Sequence, residues 1–274
     1  MQTFERSGTV KVKSSELHYM KLGNGPSVLI LFHGFGQTGE VFRPWLTEHL
    51  HTYTFYTMDI FYHGKSNRDA SILSRKHWRE IFEEFLYQER IKRFSLVGYS
   101  LGGRFALTTF MQLSHKINTL FLVAPDGIYR SIWYSLALKF RPIFKYLMWH
   151  PARFNQLLTH AEKYRLGDPA LIKFSRKELE NRADRIRVYQ SWVYFQHIAY
   201  SKRKYRKVFD RASSQIQLFL GTKDPIIPAK EIASAFEESP NVELKLLKKK
   251  HHEMIAAALP SILASSATKM THIN

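Results

Sequence analysis

One short segment constrains the fold of this 274-residue chain more than any other. Residues 98–102 read Gly-Tyr-Ser-Leu-Gly and follow an apolar run from Phe94 to Val97. A G-x-S-x-G sequence between a strand and a helix is typical of a tight turn that exposes the serine hydroxyl. The turn also leaves the first amides of the helix free to bind negative charge, and its glycines avoid Cβ clashes. The segment therefore predicts a strand–turn–helix unit with Ser100 as a nucleophile.

Strand-like and helix-like segments alternate along most of the sequence. Strands are predicted at 9–13, 17–22, 27–32, 53–58, 94–98, 119–124, 215–220 and 242–247. Helices are predicted at 40–50, 74–88, 101–113 and 228–238, with a last helix from Met254. This order predicts an α/β fold in which a mostly parallel central sheet is flanked by helices.

The alternation stops between Ile128 and Phe209, where the sequence shows helical patterns and no convincing strand. We predict helices at 131–149, 151–164, 169–181 and 183–200. They would form a helical cap (lid) over residues 128–209, inserted into a core made of residues 1–127 and 210–274. Such an insertion most simply covers the C-terminal edge of the sheet, where open α/β sheets bind ligands.

The predicted cap is strongly basic and aromatic. It holds 18 Lys and Arg against 5 Asp and Glu, so it contributes +13 of the net charge of +18. The simplest interpretation is that its aromatic stripes pack internally and its charged faces are solvated. The alternative is a cap that lines an acyl or aromatic pocket and attracts anionic substrates or an anionic membrane, with the densest charge at Lys202–Lys207.

Two other loops hold residues that can complete a nucleophilic site. Asp224 follows the predicted strand 215–220, where an aspartate can orient a histidine. His251 and His252 follow strand 242–247, and a histidine there can act as general base. Only one of two adjacent histidines can face the serine; we favour His252, at the start of the last helix, and keep His251 as the alternative. Asp126, after strand 119–124, is the alternative acid.

A glycine-rich turn follows the strand at 27–32. Residues 33–36 read His-Gly-Phe-Gly, and such a turn can aim a backbone N–H at a developing oxyanion. We predict that the amides of Phe35 and Leu101 form this oxyanion hole. His33 is expected to hold the turn by hydrogen bonding rather than to act as a base.

These motifs together give the chain a resemblance to the α/β-hydrolase fold superfamily over nearly its whole length. The order Ser100, Asp224, histidine is that of this architecture, and the His-Gly pair at 33–34 is similar to the family's oxyanion loop. Residues 59–66 resemble its Asp-x-x-Gly-His-Gly-x-Ser segment, with Phe61 and Tyr62 in place of the usual proline and glycine. The resemblance implies that this segment is structural. It also excludes dehalogenases and epoxide hydrolases of this fold, which carry aspartate where Ser100 stands.

The predicted activity is that of a serine hydrolase that cleaves a carboxylic ester, or a thioester or amide, through an acyl-enzyme. Two alternatives stay open. Residues 98–104 are similar to a segment of the menaquinone-pathway lyase that eliminates pyruvate from an acidic substrate. A non-catalytic protein that binds a ligand or lipid would keep the fold without turnover.

Composition narrows the remaining possibilities. The chain has no cysteine, which excludes disulfides, thiolate nucleophiles and Cys-ligated metals. Neither metal-ligand spacing nor a P-loop occurs, so we expect no metal and no cofactor. The expected partner is a small-molecule ester; no nucleic acid is expected, and peripheral contact with an anionic membrane is a further prediction. No signal peptide and no apolar run of about 18 residues is present, which predicts a cytoplasmic location.

Overall fold

The computed structural model describes residues 4–166 and 169–268. These residues belong to two compact units. The first unit is built from the chain up to Asp69, from Ser74–Tyr129 and from Ile198 onward, and it contains the sheet. The second unit joins Ala70–Leu73 to Arg130–His197 and is helical.

A single sheet runs through the first unit. Within the described ranges its strands are β1 (Glu5–Val12), β2 (Ser15–Leu22), β3 (Ser27–Phe32), β4 (Tyr53–Met58), β5 (Asn67–Arg68), β6 (Phe94–Tyr99), β7 (Ile117–Val123), β8 (Gln215–Gly221) and β9 (Val242–Leu247). They lie in the order β1-β2-β4-β3-β6-β7-β8-β9, with the two-residue β5 paired to β2. The pairs β1–β2 and β2–β4 are antiparallel, and every pair from β4 to β9 is parallel. The predicted mostly parallel sheet is confirmed.

Helices connect the strands and build the second unit. In the same residues they are α1 (Arg43–Leu46), α2 (Arg75–Gln88), α3 (Leu101–Leu113), α4 (Ile132–Lys139), α5 (Arg141–Trp149), α6 (Pro151–Lys163), α7 (Pro169–Glu178), α8 (Arg182–Tyr194), α9 (Lys202–Phe209), α10 (Ala229–Phe236) and α11 (Met254–Thr268). The single helix predicted over 131–149 is wrong: Phe140 separates α4 from α5. The reason is Pro142, which lacks an N–H and is tolerated only in the first turn of a helix.

The parallel register fixes where the loops of the sheet emerge. The strands β3, β6, β7, β8 and β9 all point the same way. The loops that follow them begin at His33, Ser100, Ala124, Thr222 and Lys248. Because the carboxyl ends of parallel strands meet at one edge, these five loops share one rim of the sheet.

Aromatic packing anchors α2 and α3 to the sheet. Trp78 on α2 is fully buried, and its ring centroid lies 4.9 Å from that of Phe105 on α3 and 5.8 Å from that of Phe32 on β3. Its indole Nε1–H donates to Thr109 Oγ1 at 2.9 Å, so the buried polar group is satisfied. The helix that begins beside Ser100 is therefore fixed on its inner side by a large, well-packed cluster.

A buried carboxylate at the end of α2 joins β1, β2 and β4. The side chain of Glu89 is 3% exposed, and it accepts hydrogen bonds from the hydroxyls of Tyr19 (2.5 Å) and Tyr56 (2.8 Å) and from the guanidinium of Arg6 (2.5 Å). Burial raises the pKa of this carboxyl, but the three hydrogen bonds lower it more, so the pKa of Glu89 lies below its ordinary 4.5. The folded state thus favours the ionised form.

The Glu89→Gln variant is expected to be less stable than the wild type by about 2–3 kcal/mol at pH 7, because charge-assisted hydrogen bonds are lost. Because folding lowers the pKa of Glu89, the extra stability of the wild type is fully present above about pH 4.5. It is lost as the pH falls through the lowered pKa that Glu89 has in the folded protein. Urea unfolding at several pH values measures it. A difference that grows towards low pH would contradict the assignment.

The second unit contains a cluster of aromatic rings, of which one is buried and three are half-buried. Trp192 lies between Phe144 and Tyr134, with ring centroids 5.4 Å and 5.3 Å away, and Tyr189 lies 5.7 Å from Phe144. The buried guanidinium of Arg185 donates to the carbonyl oxygens of residues 148, 179 and 180 at 2.6–3.0 Å. These rings pack on one another while three of them stay partly exposed, and Arg185 satisfies carbonyl groups near the ends of α5 and α7.

The densest basic segment lies outside this helical unit. The predicted cap extends to Phe209, but the compact unit ends at His197, and α9 groups with the sheet. Tyr205 and Phe209 are buried against the first unit. The exposed face carries five cations, at positions 202, 203, 204, 206 and 207. Contact of this face with an anionic membrane stays a prediction.

None of the helices in the described ranges combines the length and the apolar character that crossing a bilayer requires.

Candidate active site

Ser100 sits in a strained turn between β6 and α3. Its backbone has φ 50° and ψ −118°, a region that non-glycine residues rarely adopt. The backbone is held there because the Ser100 N–H donates to Val123 O at 3.0 Å, and Ser100 O accepts from the amide of Asp126 at 2.8 Å. The strand–turn–helix unit predicted from residues 98–102 is present.

The two glycines of the motif are required because neighbouring atoms lie too close to leave room for a Cβ, and not because of their backbone angles. A Cβ at Gly102 would lie 2.1 Å from the carbonyl oxygen of Phe32, and a Cβ at Gly98 would lie 2.6 Å from Cβ of Ala106. Both distances are shorter than the contacts that Cβ atoms make in proteins. These two positions let α3 pack directly against β3 and β6, which places the serine at the rim of the sheet.

A hydrogen-bonded chain links Ser100, His251 and Asp224. The Ser100 Oγ lies 2.9 Å from His251 Nε2, and His251 Nδ1 lies 2.6 Å from Asp224 Oδ2. An ionised carboxylate only accepts, so Nδ1 carries the hydrogen and the Nε2 lone pair faces the serine hydroxyl. The arrangement can move a proton from the serine oxygen to the imidazole.

Asp224 is fixed in place by its own loop. Its side chain is fully buried. The Oδ1 atom accepts hydrogen bonds from the backbone N–H groups of Ile226 (2.8 Å) and Ile227 (3.0 Å). The Oδ2 atom is the one bonded to His251. The structure thus places Asp224, the residue selected from the sequence, beside the imidazole.

The prediction that His252 is the base beside Ser100 is wrong. The structure places the imidazole of His251 at the Ser100 hydroxyl, and His252 is exposed. Residues 251–253 form a 3₁₀ turn that precedes α11. Successive side chains in such a turn are about 120° apart, so only one of two adjacent histidines can face the sheet edge. The Glu253 carboxylate accepts the amide of Lys250 at 2.7 Å and caps the turn, so the His-Glu pair does not mark the histidine that faces the serine.

Asp126, the alternative acid, is engaged elsewhere. Its carboxylate lies 2.6 Å from the guanidinium of Arg104, whose side chain is buried. No hydrogen bond between Asp126 and His251 occurs among the described residues. Asp126 therefore neutralises a cation on α3, and its backbone amide helps to hold Ser100.

The loop after β3 is held rigidly around Gly34. His33 Nδ1–H donates to Gly34 O at 2.7 Å, while His33 Nε2 accepts the amide of Ile60 at 2.9 Å. The Gly34 amide donates to Gln37 Oε1 at 3.0 Å. His33 thus makes the structural hydrogen bonds expected of it, and Gln37 is a further anchor that the sequence analysis did not identify.

The amides of Phe35 and Leu101 are available for a ligand. In residues 4–166 and 169–268, neither group donates a hydrogen bond to protein. Leu101 is the first residue of α3, where the amides have no partner within the helix. Both residues lie at the same rim as Ser100, and their role as an oxyanion hole stays a prediction.

The segment 59–66 has a structural role near this rim. Asp59 accepts the amides of Gly39 (2.8 Å) and Lys65 (2.9 Å) and contacts His18 Nδ1 at 3.0 Å. Tyr62, in the position of the usual glycine, adopts φ 67°, and its hydroxyl donates to Asp69 O at 2.9 Å. The tyrosine therefore takes the left-handed conformation that glycine adopts at lower cost.

No group of three or more His, Cys, Asp or Glu side chains suited to a metal ion occurs among the residues with described positions.

Comparison with known proteins agrees with this architecture. The family profile of the alpha/beta hydrolase fold matches residues 27–256, and the chain belongs to that family. A candidate esterase/lipase of Mycoplasma genitalium is 24% identical over 207 residues, which cover 74% of each chain. The pimeloyl-[acyl-carrier protein] methyl ester esterase of Nitrosomonas europaea is 28% identical over 121 residues, 43% of this chain and 46% of that protein. The chain spans about a third of the length of the first curated relatives that it matches, 37% and 32%.

Solved structures share the fold over nearly the whole chain. A thermophilic esterase from Thermogutta terrifontis superposes with a TM-score of 0.70 at 12% identity and covers 96% of this chain and 98% of its own. Naproxen esterase from Bacillus subtilis gives 0.64 at 14% identity, with 98% and 92% covered. At these identities the likeness establishes the fold.

Proposed function

We propose that this protein is a serine hydrolase that cleaves carboxylic esters through an acyl-enzyme. The observation that carries the proposal is the continuous hydrogen-bonded chain from Ser100 Oγ through His251 to Asp224. The esterase and lipase names of two curated relatives support an ester as the substrate.

In the first half of the reaction, Ser100 Oγ bonds to the carbonyl carbon of the ester as its proton passes to His251 Nε2. The carbonyl oxygen takes the negative charge and is held by the amides of Phe35 and Leu101. Collapse of this intermediate breaks the carbon–oxygen bond to the alcohol. His251 returns its proton to the departing oxygen, and the acyl group stays on Ser100.

In the second half, a water molecule gives a proton to His251 Nε2 and adds its oxygen to the acyl carbon. The bond to Ser100 Oγ then breaks, and the serine recovers its proton from His251. Asp224 accepts a hydrogen bond from the Nδ1–H group throughout, so it keeps the imidazole in the productive orientation and favours the imidazolium that forms in each half.

No particular observation favours the lyase alternative over hydrolysis. The lyase alternative rests on residues 98–104, which end at Arg104. The guanidinium of this arginine forms an ion pair with Asp126. A cytoplasmic location and a small-molecule ester as partner remain predictions from the sequence.

The proposal is tested with a fluorophosphonate probe and a p-nitrophenyl ester. We expect the folded protein to gain one covalent adduct, located by mass spectrometry on the peptide that contains Ser100. Rapid mixing with the ester should show a burst of p-nitrophenol as the acyl-enzyme accumulates. A folded protein without adduct and without burst would favour a non-catalytic binding protein.

A further inference from the structure

We propose that Tyr99 is a positioning residue that holds His251 against Ser100 during turnover. The inference rests on the proposed function, because it concerns the same proton transfer. Tyr99 is the variable residue before the serine in the G-x-S-x-G motif, at the end of β6. Three separate contacts connect it to both sides of the site.

The first contact is made by the hydroxyl group. Tyr99 Oη donates to the backbone carbonyl oxygen of His251 at 3.0 Å, across 152 positions of sequence. Burial, the larger cause, and the negative charge of Asp224, the smaller one, raise the pKa of the Tyr99 phenol. The hydroxyl therefore stays a hydrogen-bond donor over the usual pH range of an assay. The histidine backbone is thereby tied to the residue that precedes the nucleophile.

The second contact is made by the ring. The centroids of Tyr99 and the His251 imidazole are 5.6 Å apart, with 26° between the planes, so the rings are stacked. A positive charge within about 6 Å of an aromatic face is attracted by the ring. When His251 takes the serine proton, the imidazolium therefore forms beside this aromatic face.

The third contact lies on the oxyanion side. The edge of the Tyr99 ring borders Gly34, where a Cβ would approach Cε1 to 3.1 Å. Tyr99 is 3% exposed and so has little freedom to move. One side chain thus sets the spacing between the loop that carries Phe35 and the loop that carries His251, and Ser100 follows it directly in the chain.

The test compares Tyr99→Phe with Tyr53→Phe in the full-length protein. Tyr53 is also buried, and its hydroxyl also donates to a backbone carbonyl, that of Leu263 at 2.6 Å, so the two variants lose the same kind of hydrogen bond. With a p-nitrophenyl ester we expect Tyr99→Phe to lower kcat about tenfold, which corresponds to about 1.4 kcal/mol. KM should stay within about twofold of the wild type. The matched Tyr53→Phe variant should keep both constants, with a similar fall in melting temperature.

A spectroscopic measurement accompanies the kinetics. The His251 Nδ1–H bonded to Asp224 should give a proton resonance far downfield in the NMR spectrum. We expect this signal to broaden and to exchange faster with water in Tyr99→Phe and to stay unchanged in Tyr53→Phe.

The outcomes separate the two proposals. A wild type that the fluorophosphonate probe does not label overturns the proposed function and this inference together. If the wild type is labelled and Tyr99→Phe keeps its kcat, loses activity through KM alone, or behaves like Tyr53→Phe, only the role of Tyr99 is overturned.

Discussion

Replacement of Ser100 by alanine is expected to lower kcat for ester hydrolysis by about 10⁶-fold, since the hydroxyl that attacks the ester carbonyl is removed. The variant should also lose the fluorophosphonate adduct and the burst, while KM for the ester changes little. The comparison is made with steady-state kinetics on protein purified in parallel with the wild type. Hydrolysis within tenfold of the wild-type rate would contradict the assignment of the nucleophile.

A second variant, Ser100→Gly, serves as a control for folding. The angles φ 50° and ψ −118° are the mirror image of an ordinary extended conformation, so glycine adopts them without strain. We expect Ser100→Gly to be as inactive as Ser100→Ala but more stable than it by about 1–3 kcal/mol in chemical unfolding. Equal stability of the two variants would show that the turn stores no strain at this residue.

The second large effect is expected from the adjacent histidines. His251→Ala should lower kcat about 10⁶-fold, because Ser100 then lacks its base. His252→Ala should retain activity within about threefold, since its side chain is exposed and the hydrogen bond to the serine hydroxyl comes from His251. The two variants differ by one position and remove the same side chain, so each controls for the other.

Kinetics on both variants decide between the two histidines. Loss of activity in His252→Ala together with retention in His251→Ala would restore the preference drawn from the sequence. Loss in both would mean that the 3₁₀ turn, rather than one imidazole, sustains activity.

The sheet and the nucleophile were predictable because each depends on local patterns. An apolar run followed by Gly-x-Ser-x-Gly determines a strand, a turn and a helix within about twenty residues, and the structure contains all three. The loop positions of Asp224 and the histidine pair followed from the strand order, since parallel strands end at one edge.

The choice between His251 and His252 depended on a feature that no local pattern revealed. It is set by the phase of a three-residue turn, and that phase is fixed by the Tyr99 hydroxyl and the Glu253 carboxylate. The Glu253 contact is local to the turn, whereas the Tyr99 contact forms only in the folded sheet. The Glu89 cluster leaves no pattern in the sequence for the same reason, because its donors, Arg6, Tyr19 and Tyr56, come together only when β1, β2 and β4 pair.

The distances along the chain between the three site residues have a consequence for synthesis. Ser100 and His251 are 151 positions apart, and their contact needs β6, β7, β8 and β9 in register. A growing polypeptide therefore carries its reactive alcohol long before the imidazole that activates it has been made. If the chain hydrolyses esters as proposed, we expect hydrolysis to begin only after β9 has joined the sheet and the nascent chain to be inert during translation.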